Sequence, residues 1–101
     1  MNSKVKFTPE QMDKQIDSLH DAVHWLLLHK ELGYDKLDQY IDALISRVSG
    51  LNKLLDYPPG VITLLSLLYA IQEENQKEDC NFKLYRKLVF DAHSAVDKIR
   101  G

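Results

Sequence analysis

Along this chain the apolar residues return at alternating spacings of four and three. Met12, Ile16, Leu19, Val23 and Leu26 draw one such stripe, the buried face of an amphipathic helix. Thr8, Pro9 and Gln11 precede it as an N-cap, a proline at the first helical position and a capping-box partner, and Gly33 follows with the freedom to take a left-handed C-cap. A first helix over residues 8–32 is the prediction. Leu37, Tyr40, Ile41, Leu44, Val48 and Leu51 keep the period behind Asp35 as a cap, and Leu54 and Leu55 extend it into a second helix over 35–56. Gly50 lies inside that pattern at a cost of about 1 kcal/mol relative to alanine, so a bend or early end there competes with the single long helix we favour.

The "YPPG" stretch at 57–60 breaks the second helix, because neither Pro58 nor Pro59 donates a backbone hydrogen bond. A third helix over 60–76 follows, apolar on most sides through Tyr69, as expected of a helix covered by several neighbours. The polar run "QEENQKEDCN" carries the next turn, with Asp79 or Asn81 as cap. A fourth helix over 81–100 then places Phe82, Tyr85, Leu88, Val89, Ala92, Val96 and Ile99 on one side. Four helices joined by short turns, with no strand alternation and no longer repeat, predict an all-α fold, an antiparallel up-down-up-down four-helix bundle.

Composition narrows the class without changing that picture. A chain of 101 residues has room for one domain, over residues 1–101, and one core. The net charge of −2 gives no general attraction to nucleic acid. Cys80 is the only cysteine, so no internal disulfide or thiol pair for metal or redox chemistry is available, and a reducing compartment is expected. The N-terminal "MNSKVKFTPEQMDKQ" lacks the apolar region of a secretory signal, and the run Val61–Ile71 is shorter than the roughly 20 residues a bilayer requires. A cytoplasmic location is the expectation.

The one stretch suggesting chemistry is "HDAVHWLLLHK" at 20–30, where two histidines four apart enclose an acid, as in zinc peptidases. His20 and His24 share one side of the helix, whereas His29 points about 140° from His24 and cannot join them. Two ligands fall short of the three protein ligands a catalytic zinc takes, and Asp21 is one carbon shorter than the usual glutamate base. His93 becomes a third ligand only if it faces the first helix at the same height. The simpler reading makes His20 and His24 boundary residues of the apolar stripe and leaves His29 solvated.

His93 in a helical bundle also brings histidine phosphotransfer to mind, but the leucine, lysine and glycine expected at the second to fourth positions after it are replaced by Ala95, Val96 and Asp97. A carboxylate one turn away would repel the phosphoryl group. With no Gly-rich phosphate loop, no recognisable Ser-His-Asp set and no pair of buried acids, neither catalysis nor a cofactor is expected.

Surface features remain. Trp25, Leu28 and Leu32 make a second apolar strip, expected to pack against a neighbouring helix end, with an exposed docking patch as the alternative. Residues 82–101 hold Lys83, Arg86, Lys87, Lys98 and Arg100 against Asp91 and Asp97. Such a run is usually a solvated helix face. It also suits an anionic membrane surface or acidic loops of a partner.

The second half, "LLDYPPGVITLLSLLYAIQEENQKEDCNFKLYRKLVFDAHSAVDKIRG", resembles the immunity proteins that protect lactic acid bacteria and streptococci from pediocin-like bacteriocins, the enterocin A immunity family. The shared features are the Pro/Gly break before an apolar third helix with a Leu-Leu-Tyr segment, the short polar turn, and a phenylalanine opening an amphipathic fourth helix. The resemblance implies a non-catalytic cytoplasmic bundle that recognises a mannose phosphotransferase permease engaged by bacteriocin and blocks the resulting leak. It places recognition on the outward positions of the third and fourth helices, including Lys83, Arg86, Lys87, Lys98 and Arg100. The rival reading is a helical adaptor or regulatory module that binds a soluble partner, or itself, through the Trp25 strip.

Overall fold

A computed structural model describes residues 8–99 of the chain. Thr8 starts the first helix: its Oγ1 accepts the Gln11 amide at 3.1 Å while Gln11 Oε1 accepts the Thr8 amide at 2.9 Å, the reciprocal capping box. Helix α1 runs from Pro9 to Leu32 and ends where Gly33, at φ 69°, turns the chain left-handed. Three further helices follow, α2 over Leu37–Leu54, α3 over Pro59–Gln76 and α4 over Phe82–Asp97, with no strand among the described residues.

The ends of these helices differ from the sequence reading where local geometry overrides the apolar period. Asp35 does not cap α2. Residues 34–36 form a turn in which Leu37 N–H reaches Tyr34 O at 3.3 Å, and Lys36 enters the helix without a side-chain cap. Pro59 occupies the first turn of α3, where its missing N–H is no loss, while α2 ends ahead of the proline pair, where Asp56 and Tyr57 turn left-handed at φ 64° and 59° and the Tyr57 amide reaches Asn52 O at 2.8 Å. Asn81 caps α4 by accepting the Leu84 amide at 3.2 Å. Helix α4 stops at Asp97, and Lys98 and Ile99 close it with hydrogen bonds to Ala95 and Val96. Arg100 lies outside the described residues.

Each helix packs on its two neighbours in chain order and α4 returns to α1, leaving α1 and α3, and α2 and α4, on the diagonals. Cross-helix pairs show the antiparallel sense. Arg47 reaches Gln15 and Ser18 while Tyr40 reaches Ala22, and Gln72 donates to Asp42 while Gln76 donates to Asp38. The chain is an antiparallel four-helix bundle. Its core takes Ile16, Leu19, Val23 and Leu26 from α1, Ile41, Leu44 and Val48 from α2, Val61, Leu64, Leu68 and Ile71 from α3, and Tyr85, Val89, Ala92 and Val96 from α4.

Some apolar positions expected inside are not. Phe82 and Leu54 are exposed, each at a helix end where the bundle no longer covers it. Helix α3 buries one face only: Ile62 and Tyr69 are open to solvent, because each helix of a four-membered ring has two neighbours and an outer side.

Two glycines play opposite parts. Helix α2 passes through Gly50 unbroken, and a methyl group there would meet nothing within 4 Å. At Gly60 the same methyl would lie 2.6 Å from the Lys98 carbonyl oxygen and 3.1 Å from Ile99 Cα, so the start of α3 rests on the backbone just past α4. Gly50→Ala should therefore raise unfolding stability by about 1 kcal/mol. Gly60→Ala should lower it by about 1–3 kcal/mol, since backbone must shift to admit the methyl. Urea unfolding of the two variants checks both signs.

Candidate functional site

With Tyr85, Val89, Ala92 and Val96 facing the core, the 100° advance per residue fixes what α4 turns outward. Lys83 and Lys87 stand one turn apart on its outermost line, Arg86 is rotated toward α1, and Lys98 follows the helix end on the side of α3. All four are exposed. Arg86 lies 4.9 Å from the centre of the exposed Phe90 ring, and Lys87 Nζ pairs with Asp91 Oδ2 at 2.8 Å. Lys83 and Lys98 form no ion pair among the described residues. The face is a set of separated cations, of which Arg86 lies by an apolar ring and Lys87 is paired with a carboxylate.

Between α4 and α1 lies a histidine seam that the sequence pointed to only conditionally. His93 does face α1 at the height of His20: their rings stack with centroids 4.4 Å apart and planes 29° from parallel. His20 Nε2 approaches Asp97 Oδ1 at 2.8 Å without the alignment of a hydrogen bond. His24, one turn on, is exposed. Stacked imidazoles aim their in-plane lone pairs along parallel lines. No three donors converge on a metal position among the described residues.

Burial, and then the neighbouring His20 ring, push the His93 imidazole below the ordinary histidine range; Asp97 opposes this and His24 adds to it. A base with a depressed folded pKa takes its proton more readily when unfolded, so its contribution is full above the unfolded value near 6.5 and is lost as pH falls through and below it. The urea midpoint should therefore drop between pH 7.5 and 5. In His93→Gln that drop should be smaller; an unchanged profile would place the acid sensitivity elsewhere.

The strip of Trp25, Leu28 and Leu32 is not sealed by a neighbouring helix end as expected. Leu32 is 77% exposed and Trp25 46%. Trp25 instead stacks on His29 of its own helix, with centroids 5.2 Å apart, and His29 meets Tyr34 at 4.6 Å and the edge of Tyr40 at 5.0 Å. His29 is thus half-buried in an aromatic cluster rather than solvated. Sequence spacing missed this because Tyr34 lies in the turn and Tyr40 on another helix.

Glu74 was also hidden in the sequence, inside a polar run that reads as solvated. It is buried, and it accepts the Asn81 amide at 2.8 Å and Lys77 Nζ at 3.1 Å, so it staples the α3–α4 turn. The Asn81 hydrogen bond first, then Lys77, hold its carboxyl below the usual range.

Comparison with protein-family models, curated proteins and solved structures finds no match to the chain. No described helix is long and apolar enough to cross a membrane. Cations, aromatic rings and carboxylates stand on the surface of a packed core. Such an arrangement lends itself to binding.

Proposed function

We propose that this chain is a bacteriocin immunity protein, a cytoplasmic binding protein that protects its cell from a pediocin-like peptide by engaging the bacteriocin-bound mannose phosphotransferase permease. The observation that carries this reading is the outward display of Lys83, Arg86 and Lys87 on α4, within the half of the chain that carries the resemblance. The four-helix bundle agrees with what that resemblance implies. In this reading Lys98 adds to the exposed positive charge, Arg100 is a further cation outside the described residues, peripheral contact with an anionic membrane surface strengthens binding by about 1 kcal/mol per cation, and the chemistry is binding alone.

Expression in a strain sensitive to pediocin-like peptides tests it. Wild-type protein should protect, and the double variant Arg86→Glu, Lys87→Glu should reduce protection about tenfold or more with an unchanged thermal midpoint, because both side chains are exposed. Absence of protection with protein present would remove the proposal.

A second reading, a helical adaptor that binds a soluble protein or itself, draws on the exposure of Trp25 and Leu32. Sedimentation should then show a dimer that Trp25→Ala or Leu32→Ala converts to monomer; a monomer at all concentrations leaves only a foreign partner for that strip.

A further inference from the structure

Beside the aromatic cluster, the end of α1 and the start of α2 enclose a depression of about 240 Å³, several times the roughly 30 Å³ share of one water molecule. It shares His29 and Tyr34 with the cluster. Asp35 and Asp38 supply carboxylates, and the side chain of Leu37, itself buried, adds an apolar surface. Aromatic faces, an aliphatic surface and two carboxylates are the complement of one chemical group, a cation on an apolar stem.

The other charges around it leave that complement in place. Lys30 also lines the depression, but its ammonium is held by Asn75 Oδ1 at 2.8 Å, lies 5.4 Å from the centre of the Tyr85 ring and sits in the field of Glu74. Asp38 accepts two bonds of 3.2 Å from the Gln76 amide, a neutral donor that leaves its charge intact. Asp35 has no hydrogen bond or ion pair among the described residues. Lys36, the remaining cation on the turn, is exposed and forms no ion pair among them.

Of the exposed apolar groups that make a rim here, Tyr34 lines the depression, Trp25 adjoins it through its stack on His29, and Leu32 lies one turn of α1 further along, outside the lining. Trp25, Leu32 and Tyr34 expose 46%, 77% and 42% of their surfaces on the same end of the bundle. The ring of Trp25 is fixed by its stack on His29, so covering it costs little side-chain entropy. A free metabolite of the size of the depression would leave this rim open. A polypeptide that inserts a basic residue and lays its neighbours over the rim would cover both.

We infer that the α1–α2 turn is a docking site for a partner polypeptide, which places an arginine side chain between Tyr34 and the carboxylates of Asp35 and Asp38 and covers Trp25 and Leu32 with adjacent apolar residues. Arginine fits better than lysine because its planar head stacks on a ring and pairs with carboxylates at once. The site is separate from the basic face of α4 and does not depend on it.

Trp25 is the only tryptophan, so its emission reports directly on the rim. The probe is a blocked synthetic peptide alternating leucine and arginine, titrated into the full chain beside the same peptide with citrulline for arginine and with glutamate for arginine. A saturable emission shift with the arginine peptide is expected, with about five- to tenfold weaker binding in Asp35→Asn, Asp38→Asn. The control Asp91→Asn, a carboxylate on α4, should bind as wild type. Should the double variant fail to fold, Asp35→Asn alone reads the same effect from an exposed turn residue. No saturable binding, equal binding of the citrulline or glutamate peptide, or an equal loss in Asp91→Asn would overturn the proposal. Argininamide alone matching the peptide in affinity would overturn the polypeptide partner.

Discussion

The bundle depends on a hydrogen bond between its first and last helices, from the Tyr85 hydroxyl to the Leu26 carbonyl oxygen at 2.8 Å. Short turns join every other pair of adjacent helices, whereas the α1–α4 seam has no connecting turn and is held by side chains only. Tyr85 is fully buried, and an unpartnered hydroxyl at that depth would cost about 1–3 kcal/mol. That penalty favours the rotation and height of α4 at which the hydroxyl meets Leu26, the same rotation that buries Val89, Ala92 and Val96. Burial also raises the ionisation range of the phenol, so it remains a donor through neutral pH.

Much of the surface follows from that one register. Two turns after Tyr85, His93 comes level with His20, and the rings stack. With Tyr85 turned inward, Lys83 and Lys87 must point out and Arg86 must lean toward α1. The α1–α2 seam is built differently. These helices meet most sparsely, and polar side chains join them: Tyr40 donates to the Ala22 carbonyl and Arg47 reaches Gln15 and Ser18. All four helices supply the core, but α3 and α4 approach most closely, while α1 and α2 keep a looser outer groove past Arg47, Gly50 and Leu54.

The stripes of Ile16, Leu19, Val23 and Leu26 and of Tyr85, Val89, Ala92 and Val96 were legible because burial in a helix repeats every 3.6 residues, and the four-helix class follows from them. What was not legible is what repeats nowhere. Gly60 looked like punctuation, yet its missing side chain admits the backbone of Lys98. Glu74 looked solvated, yet it accepts an amide across the next turn. Trp25 was visible as an apolar residue off the main stripe, and its stack on His29 is an i, i+4 neighbour pair, but Tyr34 and Tyr40, which complete the cluster, come from the turn and from α2, where the spacing within α1 does not reach. On α4 the cations Lys83, Arg86 and Lys87 were visible in the sequence, and the structure shows them outside.

A net charge of −2 conceals the arrangement of the charges themselves. In an antiparallel bundle the α1–α2 turn and the α3–α4 turn lie at the same end, so Asp35 and Asp38 share that end with Lys83, Arg86 and Lys87 in the first two turns of α4. The rod is about 21 Å across, longer than a Debye length of about 8 Å at physiological salt. Charges of opposite sign on α2 and α4, which lie on a diagonal of the bundle, are screened from one another wherever they stand more than a Debye length apart. The same end of the molecule can present a cationic surface to one group and an aromatic, carboxylate-lined pocket to another. A partner wide enough to span the bundle would need charges of both signs, spaced to match, and that requirement selects among partners more sharply than either patch does alone.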